Sequence, residues 1–353
     1  MAYTIRSRSH TVRLPLGGLL ATAALCVATA PVQAQRYAAP PIAEGASYFM
    51  ATHSFNVFIG PNSRTGDPGP LAKLAAEAEM EGHENLGIQM IGGSTPMQHW
   101  NQGDGDDSRN LARVALRAGG VDVFTMSPNA IMPEEGISLF ADLMMETNPE
   151  GRMLVQNSWS AWDGTSTTTS VGGNGAPDFS REDHDLADIE TIQGWIDRLH
   201  SDGGYLDRMR EQLAGINEHA GHDMAYLVPA ADAVYRLRQE VLRGRIPGIE
   251  TQSELFRDGM GHPNTPIVNL VTYVWFTVMY RQPASGLTAL VDPNDPTSAE
   301  RERLLQQIAW ETAAREPMSG LTSPMLWPNG VRNMHDLLHK LGSDQEGQDH
   351  QGH

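Results

Sequence analysis

The 353-residue chain contains a single cysteine, Cys26. One thiol leaves no route to a disulfide framework or a cysteine-ligated metal cluster within one chain. Basic charge is also scarce, since 25 Lys and Arg stand against 43 Asp and Glu for a formal net charge of −18. A nucleic-acid backbone is held by a concentrated basic face, so this deficit argues against nucleic acid as a partner. Hydrophobic residues make up 40% and mean hydropathy is −0.36. That is ordinary globular composition, and it excludes the collagenous, wholly disordered and polytopic membrane classes. The acidic excess speaks for solubility rather than for any particular partner.

The N-terminus is basic where the rest is acidic. Arg6, Arg8 and Arg13 precede an apolar run over residues 14–30 that no acid interrupts, and Val32-Gln33-Ala34 places small residues where a signal peptidase cleaves. Residues 1–34 therefore read as a secretory signal peptide with cleavage after Ala34. The run contains Pro15, Gly17 and Gly18 and falls short of the roughly 20 residues a membrane span needs, so no stable membrane insertion is expected. Leu25 ahead of Cys26 is not the small residue of a lipoprotein site. The expected product is exported, periplasmic or secreted. It is free of cysteine, which suits an oxidising compartment and rules out a cysteine nucleophile.

Beyond the leader, short apolar runs alternate with amphipathic stretches. The pattern predicts strands over 48–51, 86–91, 121–126, 153–156 and 224–228, and helices over 70–80, 110–118, 134–146 and 230–242. Strands separated by single helices imply βαβ crossovers and a parallel sheet covered on both faces. The stretch 267–280 is strongly apolar, but Asn269, Thr272 and Tyr273 interrupt it and Arg281 closes it; it reads as a buried core helix. Segment 163–185 is rich in Gly, Ser, Thr and Asn and too long for a routine connection. It is either a lid beside a site or a disordered excursion. The partition is one α/β domain over 35–290, a helical extension over 291–341 and a polar, disordered tail over 342–353.

In a parallel sheet, ligands sit beyond the carboxyl ends of the strands. The predicted strands end in Thr52-His53-Ser54, Gly92-Gly93, Ser127-Pro128-Asn129 and Asn157-Ser158-Trp159. Ser54 is placed where a nucleophile would stand above the sheet. His53 cannot be its base, because adjacent side chains on an extended segment diverge. Asp258 and His262 lie on a glycine-containing loop, where the carboxylate can meet imidazole Nδ1 and leave the other nitrogen to act as a base. Gly92 or Gly93 and Asn129 bring N–H donors that, with the Ser54 amide, could hold an oxyanion.

These blocks resemble the SGNH (GDSL-type) hydrolases over residues 47–287: Ser54 in Thr52-His53-Ser54-Phe55, Gly93 in Ile91-Gly92-Gly93-Ser94, Asn129 in Ser127-Pro128-Asn129, and Asp258 with His262. The resemblance implies a three-layer α/β/α sandwich with a parallel, flavodoxin-like sheet. It also implies ester hydrolysis by a Ser54–His262–Asp258 triad, an oxyanion hole of Ser54, Gly93 and Asn129, and no cofactor or metal. The implied substrate is a small-molecule or glycan ester, carbohydrate acetyl esters included. Two departures stand out. Thr52-His53 replaces Gly-Asp before the serine, and three residues separate Asp258 from His262 where the family has two. Gly259 and Gly261 are available to absorb the extra residue.

Other features compete with this reading. Trp100, Trp159 and Trp162 fall near the expected mouth and could stack on a sugar or an aromatic acyl group, or simply pack; His99 beside Trp100 is a candidate pocket residue. His219, His222 and Asp223, and His335 with His339, have spacings that suit metal binding, but neither group supplies enough ligands by itself, and both read as surface histidines. The alternatives for the whole chain are a non-catalytic ligand-binding module on the same fold and an exported metal-binding protein.

Overall fold

Five short strands pair, all parallel, in a computed structural model that describes residues 41–103, 106–129, 131–160 and 183–321. The predicted leader, residue Trp162, most of segment 163–185, His335, His339 and the predicted tail lie outside these residues. The strands are β1 (Ser47–Thr52), β2 (Glu84–Met90), β3 (Val123–Met126), β4 (Arg152–Gln156) and β5 (Ala225–Val228), in the spatial order β2-β1-β3-β4-β5. This is the flavodoxin-like order of a doubly wound sheet, with its topological switch point between β1 and β3. In register, Met50 on β1 lies between Ile88 of β2 and Thr125 of β3.

The connecting helices are α1 (Pro70–Glu77), α2 (Pro96–Trp100), α3 (Leu111–Ala118), α4 (Glu135–Thr147), α5 (Ile189–Leu199), α6 (Tyr205–Ala220) and α7 (Ala230–Leu242), followed by α8 (Thr265–Tyr280) and α9 (Ser298–Arg315). Alternation along the strands assigns side chains to two cores. Tyr48 and Met50 of β1, Leu154 of β4 and Val228 of β5 pack with Leu71 and Leu74 of α1, Leu237 of α7 and Trp275 of α8. Phe49 and Ala51, Phe124 and Met126, and Met153 and Val155 face the other way, onto Leu116 of α3, Phe140 of α4 and Leu213 of α6. A sheet with a helical core on each face is the expected three-layer sandwich. Each large apolar side chain so buried contributes about 1.5–3 kcal/mol.

Local chemistry sets the helix starts. The Asn110 side chain accepts from the Arg113 amide at 2.9 Å to open α3, and the Asp188 carboxylate accepts from the Thr191 amide at 2.7 Å to open α5, each satisfying a donor that the first turn leaves orphaned. Helix α8 is buried nearly all round, as its apolar run predicts. Among the described residues no helix is long and apolar enough to cross a membrane.

Four helices go beyond the sequence expectation. Helix α2 is a single capped turn, in which Thr95 and Gln98 exchange side-chain-to-backbone hydrogen bonds. Helices α5 and α6 fill a stretch that had no assigned element. Helix α9 falls within the predicted 291–341 extension, yet Leu305, Ile308 and Ala309 join the same core as α8. It is an integral wall of the α/β unit, because α8 is too apolar to leave its outer face in water.

Candidate functional site

The turn after β1 carries Ser54. Strand β1 stops at Thr52, and the His53 carbonyl accepts from the amides of Asn56 and Val57 at 3.1 and 3.0 Å. This reverses the chain and leaves Ser54 half-buried at the carboxyl end of the sheet. The turn is held from below by Gln156, the last residue of β4. Its Nε2 donates to the Phe55 carbonyl at 3.0 Å, while its Oε1 accepts from the indole N–H of the fully buried Trp275 at 2.6 Å.

Asp258 and His262 come from the loop before α8. Phe256 and Pro263 form an antiparallel bridge at its neck, with the Arg257 amide donating to the His262 carbonyl at 2.9 Å. Inside the neck the Gly261 amide donates to the Asp258 carbonyl at 3.1 Å, and Gly261 takes φ +89°, a conformation that disfavours any side chain. The tight turn absorbs the extra residue between Asp258 and His262; Gly261 rather than Gly259 supplies the unusual backbone angle.

The two segments meet. Asp258 Oδ2 and His262 Nδ1 are 2.7 Å apart, and His262 Nε2 lies 3.0 Å from Ser54 Oγ. The His262 backbone amide also donates to Asp258 Oδ1 at 3.1 Å. Burial alone would raise the Asp258 carboxyl, but the hydrogen bonds from the His262 ring and amide outweigh it and hold the group below its ordinary value. The carboxylate therefore stays ionised and acceptor-only, which requires Nδ1 to carry the proton and leaves Nε2 to accept from Ser54.

Of the other predicted residues, Gly93 and Asn129 are joined directly. Asn129 Nδ2 donates to the Gly93 carbonyl at 3.1 Å, linking the turns after β2 and β3. Gly93 takes φ +61° with open space where a Cβ would stand, so its backbone angle rather than crowding favours glycine. His99 does not line a pocket. It is 1% exposed, with Nε2 2.8 Å from Ser94 Oγ and Nδ1 3.2 Å from Gln89 Nε2, and it ties α2 to β2. Trp100 packs edge-on against Phe140, 5.0 Å between centroids, with the Arg113 guanidinium over its ring. Trp159 is 4% exposed and its ring is covered. Trp159 is thus used internally and offers no ring to a sugar, whereas Trp100 is only partly buried.

Two histidines were also missed as supports. His53 is buried, and its Nδ1 accepts from the Phe55 amide at 3.2 Å. Burial pushes it down to about 4 against the carbonyls of Pro128 and Ser127, so it is neutral and structural. His184 Nε2 meets the Asp258 carbonyl at 3.1 Å; no local sequence signal points to it. His222 faces the Ala220 carbonyl at 3.2 Å, and among the described residues no group of three or more His, Asp or Glu could hold a metal. A separate cavity of about 330 Å³, lined by His200, Arg210, Asp232 and Arg236, shares no lining residue with this site.

No protein-family model matches the sequence, and no curated protein matches it. Solved structures to which the chain is similar include a DUF4886 family protein from Bacteroides uniformis, at 13% identity and TM-score 0.45, over 83% of this chain and 100% of that one. A protein described as a GDSL-like lipase, from Parabacteroides merdae, is similar at 9% identity and TM-score 0.37, over 66% of this chain and 95% of that one. A variant of an acetyl xylan esterase from Geobacillus stearothermophilus is similar at 12% identity and TM-score 0.35, over 66% of this chain and 93% of that one.

Proposed function

We propose that this chain is an exported SGNH-type serine hydrolase that cleaves carboxylic esters through an acyl-enzyme. The observation that carries the reading is the unbroken chain Asp258 Oδ2, His262 Nδ1, His262 Nε2, Ser54 Oγ, at 2.7 and 3.0 Å. In the first step His262 Nε2 takes the Ser54 proton as Oγ attacks the ester carbonyl, and Asp258 holds the ring and stabilises its charged form. The Ser54 and Gly93 amides and the Asn129 side chain are the donors assigned to the oxyanion. Collapse expels the alcohol, which receives the proton from His262. Water, deprotonated by His262, then attacks the acyl-serine, and the carboxylic acid leaves as Ser54 regains its proton.

The basic, apolar leader ending at Ala34 supports export, and the absence of cysteine after residue 34 suits the destination. The substrate class is a carboxylic ester of a small molecule or glycan. The test is hydrolysis of p-nitrophenyl acetate by the wild-type protein and by Ser54→Ala. We expect turnover in the first and a loss on the order of 10⁴-fold in the second. Turnover retained by Ser54→Ala, or none by the wild type across short and long acyl esters, would contradict the reading.

A further inference from the structure

We infer that Trp159 is a positioning residue for the base, locking His262 to the serine turn; the inference rests on the hydrolase reading above. Trp159 sits three residues past the end of β4, far in sequence from both segments it touches. Its indole N–H donates to the Gly261 carbonyl at 2.9 Å. That carbonyl belongs to the peptide whose nitrogen is the His262 amide, and this amide donates to Asp258 Oδ1. Fixing one end of the peptide plane fixes the other. The indole bond therefore sets the direction of the His262 N–H and, through it, the seat of the Asp258 carboxylate.

The ring of Trp159 does a second thing. It stacks flat on Phe55, with centroids 4.8 Å apart and planes 7° from parallel. Phe55 follows the nucleophile in sequence and presents its ring to His262 in an edge-on contact, 5.4 Å between centroids at 85°. Trp159 is thus bonded to the residue before the base and stacked on the residue after the nucleophile. Both contacts act on one distance, the 3.0 Å between Nε2 and Oγ. At 4% exposure the indole has no free face for a substrate ring, so its influence passes through His262 rather than through substrate binding.

The two contacts can be separated. Trp159→Phe keeps an aromatic ring over Phe55 and deletes the N–H; Trp159→Ala deletes both. Rates of p-nitrophenyl acetate and p-nitrophenyl butyrate hydrolysis are measured per active site, counted by fluorophosphonate titration, so that a smaller folded fraction does not register as slower chemistry. We expect kcat to fall about 10-fold in Trp159→Phe and about 100-fold in Trp159→Ala, by the same factor for both esters and with KM unchanged, as displacement of a reacting group predicts. Unchanged kcat per site in Trp159→Phe, or a KM change that differs between the esters, overturns the inference and leaves the hydrolase reading intact. Should Trp159→Ala fail to fold, Trp159→Phe decides alone. A wild-type protein without esterase activity defeats the hydrolase reading instead.

Discussion

His262 Nε2 and Ser54 Oγ stand 3.0 Å apart although 208 positions separate them in sequence. Neither side chain is held by its own segment alone. Ser54 is seated by a turn that Gln156 props from β4, and His262 by a loop closed between Phe256 and Pro263. The sheet order places the ends of β1, β3 and β4 side by side, and α8 anchors the histidine loop through Trp275 and Gln156 to the same strand end.

The carboxylate should matter through tautomer control as well as through placement. Asp258→Asn preserves size, but its amide either accepts poorly from Nδ1–H or donates to Nδ1 and forces the proton to Nε2, where it blocks acceptance from Ser54. We expect kcat for ester hydrolysis to drop on the order of 10²- to 10⁴-fold with the fold retained. Activity within a few fold of wild type would show that Asp258 is dispensable.

His53 should be replaceable by an acceptor but not by alanine. Its Nδ1 takes the buried Phe55 amide at 3.2 Å. His53→Asn offers a side-chain oxygen to the same N–H. His53→Ala leaves that donor unsatisfied at a cost of about 1–3 kcal/mol and loosens the turn that carries Ser54. Urea unfolding and kcat should rank wild type, Asn and Ala in that order. Equal stability of the Ala and Asn variants would remove the role given to Nδ1.

Acid should weaken the fold well above the carboxylate range. Burial pushes His53, His83 and His99 each from the ordinary 6.5 to about 4. Between those values the unfolded chain binds the protons and the folded chain does not, so stability falls as pH drops from 6.5 towards 4, by up to about 3 kcal/mol per histidine. Asp258, whose folded value is depressed, adds a loss only below the carboxylate's ordinary 3.8. His200 acts oppositely: its hydrogen bond to Asp232 raises it, giving stability that is present below the ordinary value and lost as pH rises through the folded one. Denaturant midpoints across this window should fall with acid, and less steeply in His99→Gln. A flat profile would contradict the assignment of neutral buried imidazoles.

Much of the fold could be read from the sequence because strand and helix periodicities were clean. The buried runs at 48–51, 153–156 and 224–228 have no polar interruption until their strand ends, and helix α7 has the predicted bounds Ala230–Leu242. Helix α6 was not assigned although its signal was present: Leu206, Met209, Leu213 and Ile216 recur at helical spacing and are its buried residues. Helix α2 was not legible, because one turn carries no period and is made by the Thr95–Gln98 capping box. At the site, Ser54, Asp258 and His262 stood out as polar residues at a strand end and on a glycine loop. The supports did not. Trp159 and His99 look like mouth residues in one dimension, and only their burial reassigns them. Gln156 did carry a signal: a lone amide closing an apolar strand needs buried partners.

Covalent labelling by a fluorophosphonate tests the central claim most directly, because it requires an activated serine but no knowledge of the natural ester. The wild-type chain should gain one adduct, mapped to Ser54, with His262→Ala labelled far more slowly and Ser54→Ala not at all. An unlabelled wild-type protein, or an adduct on another residue that persists in Ser54→Ala, would contradict the account.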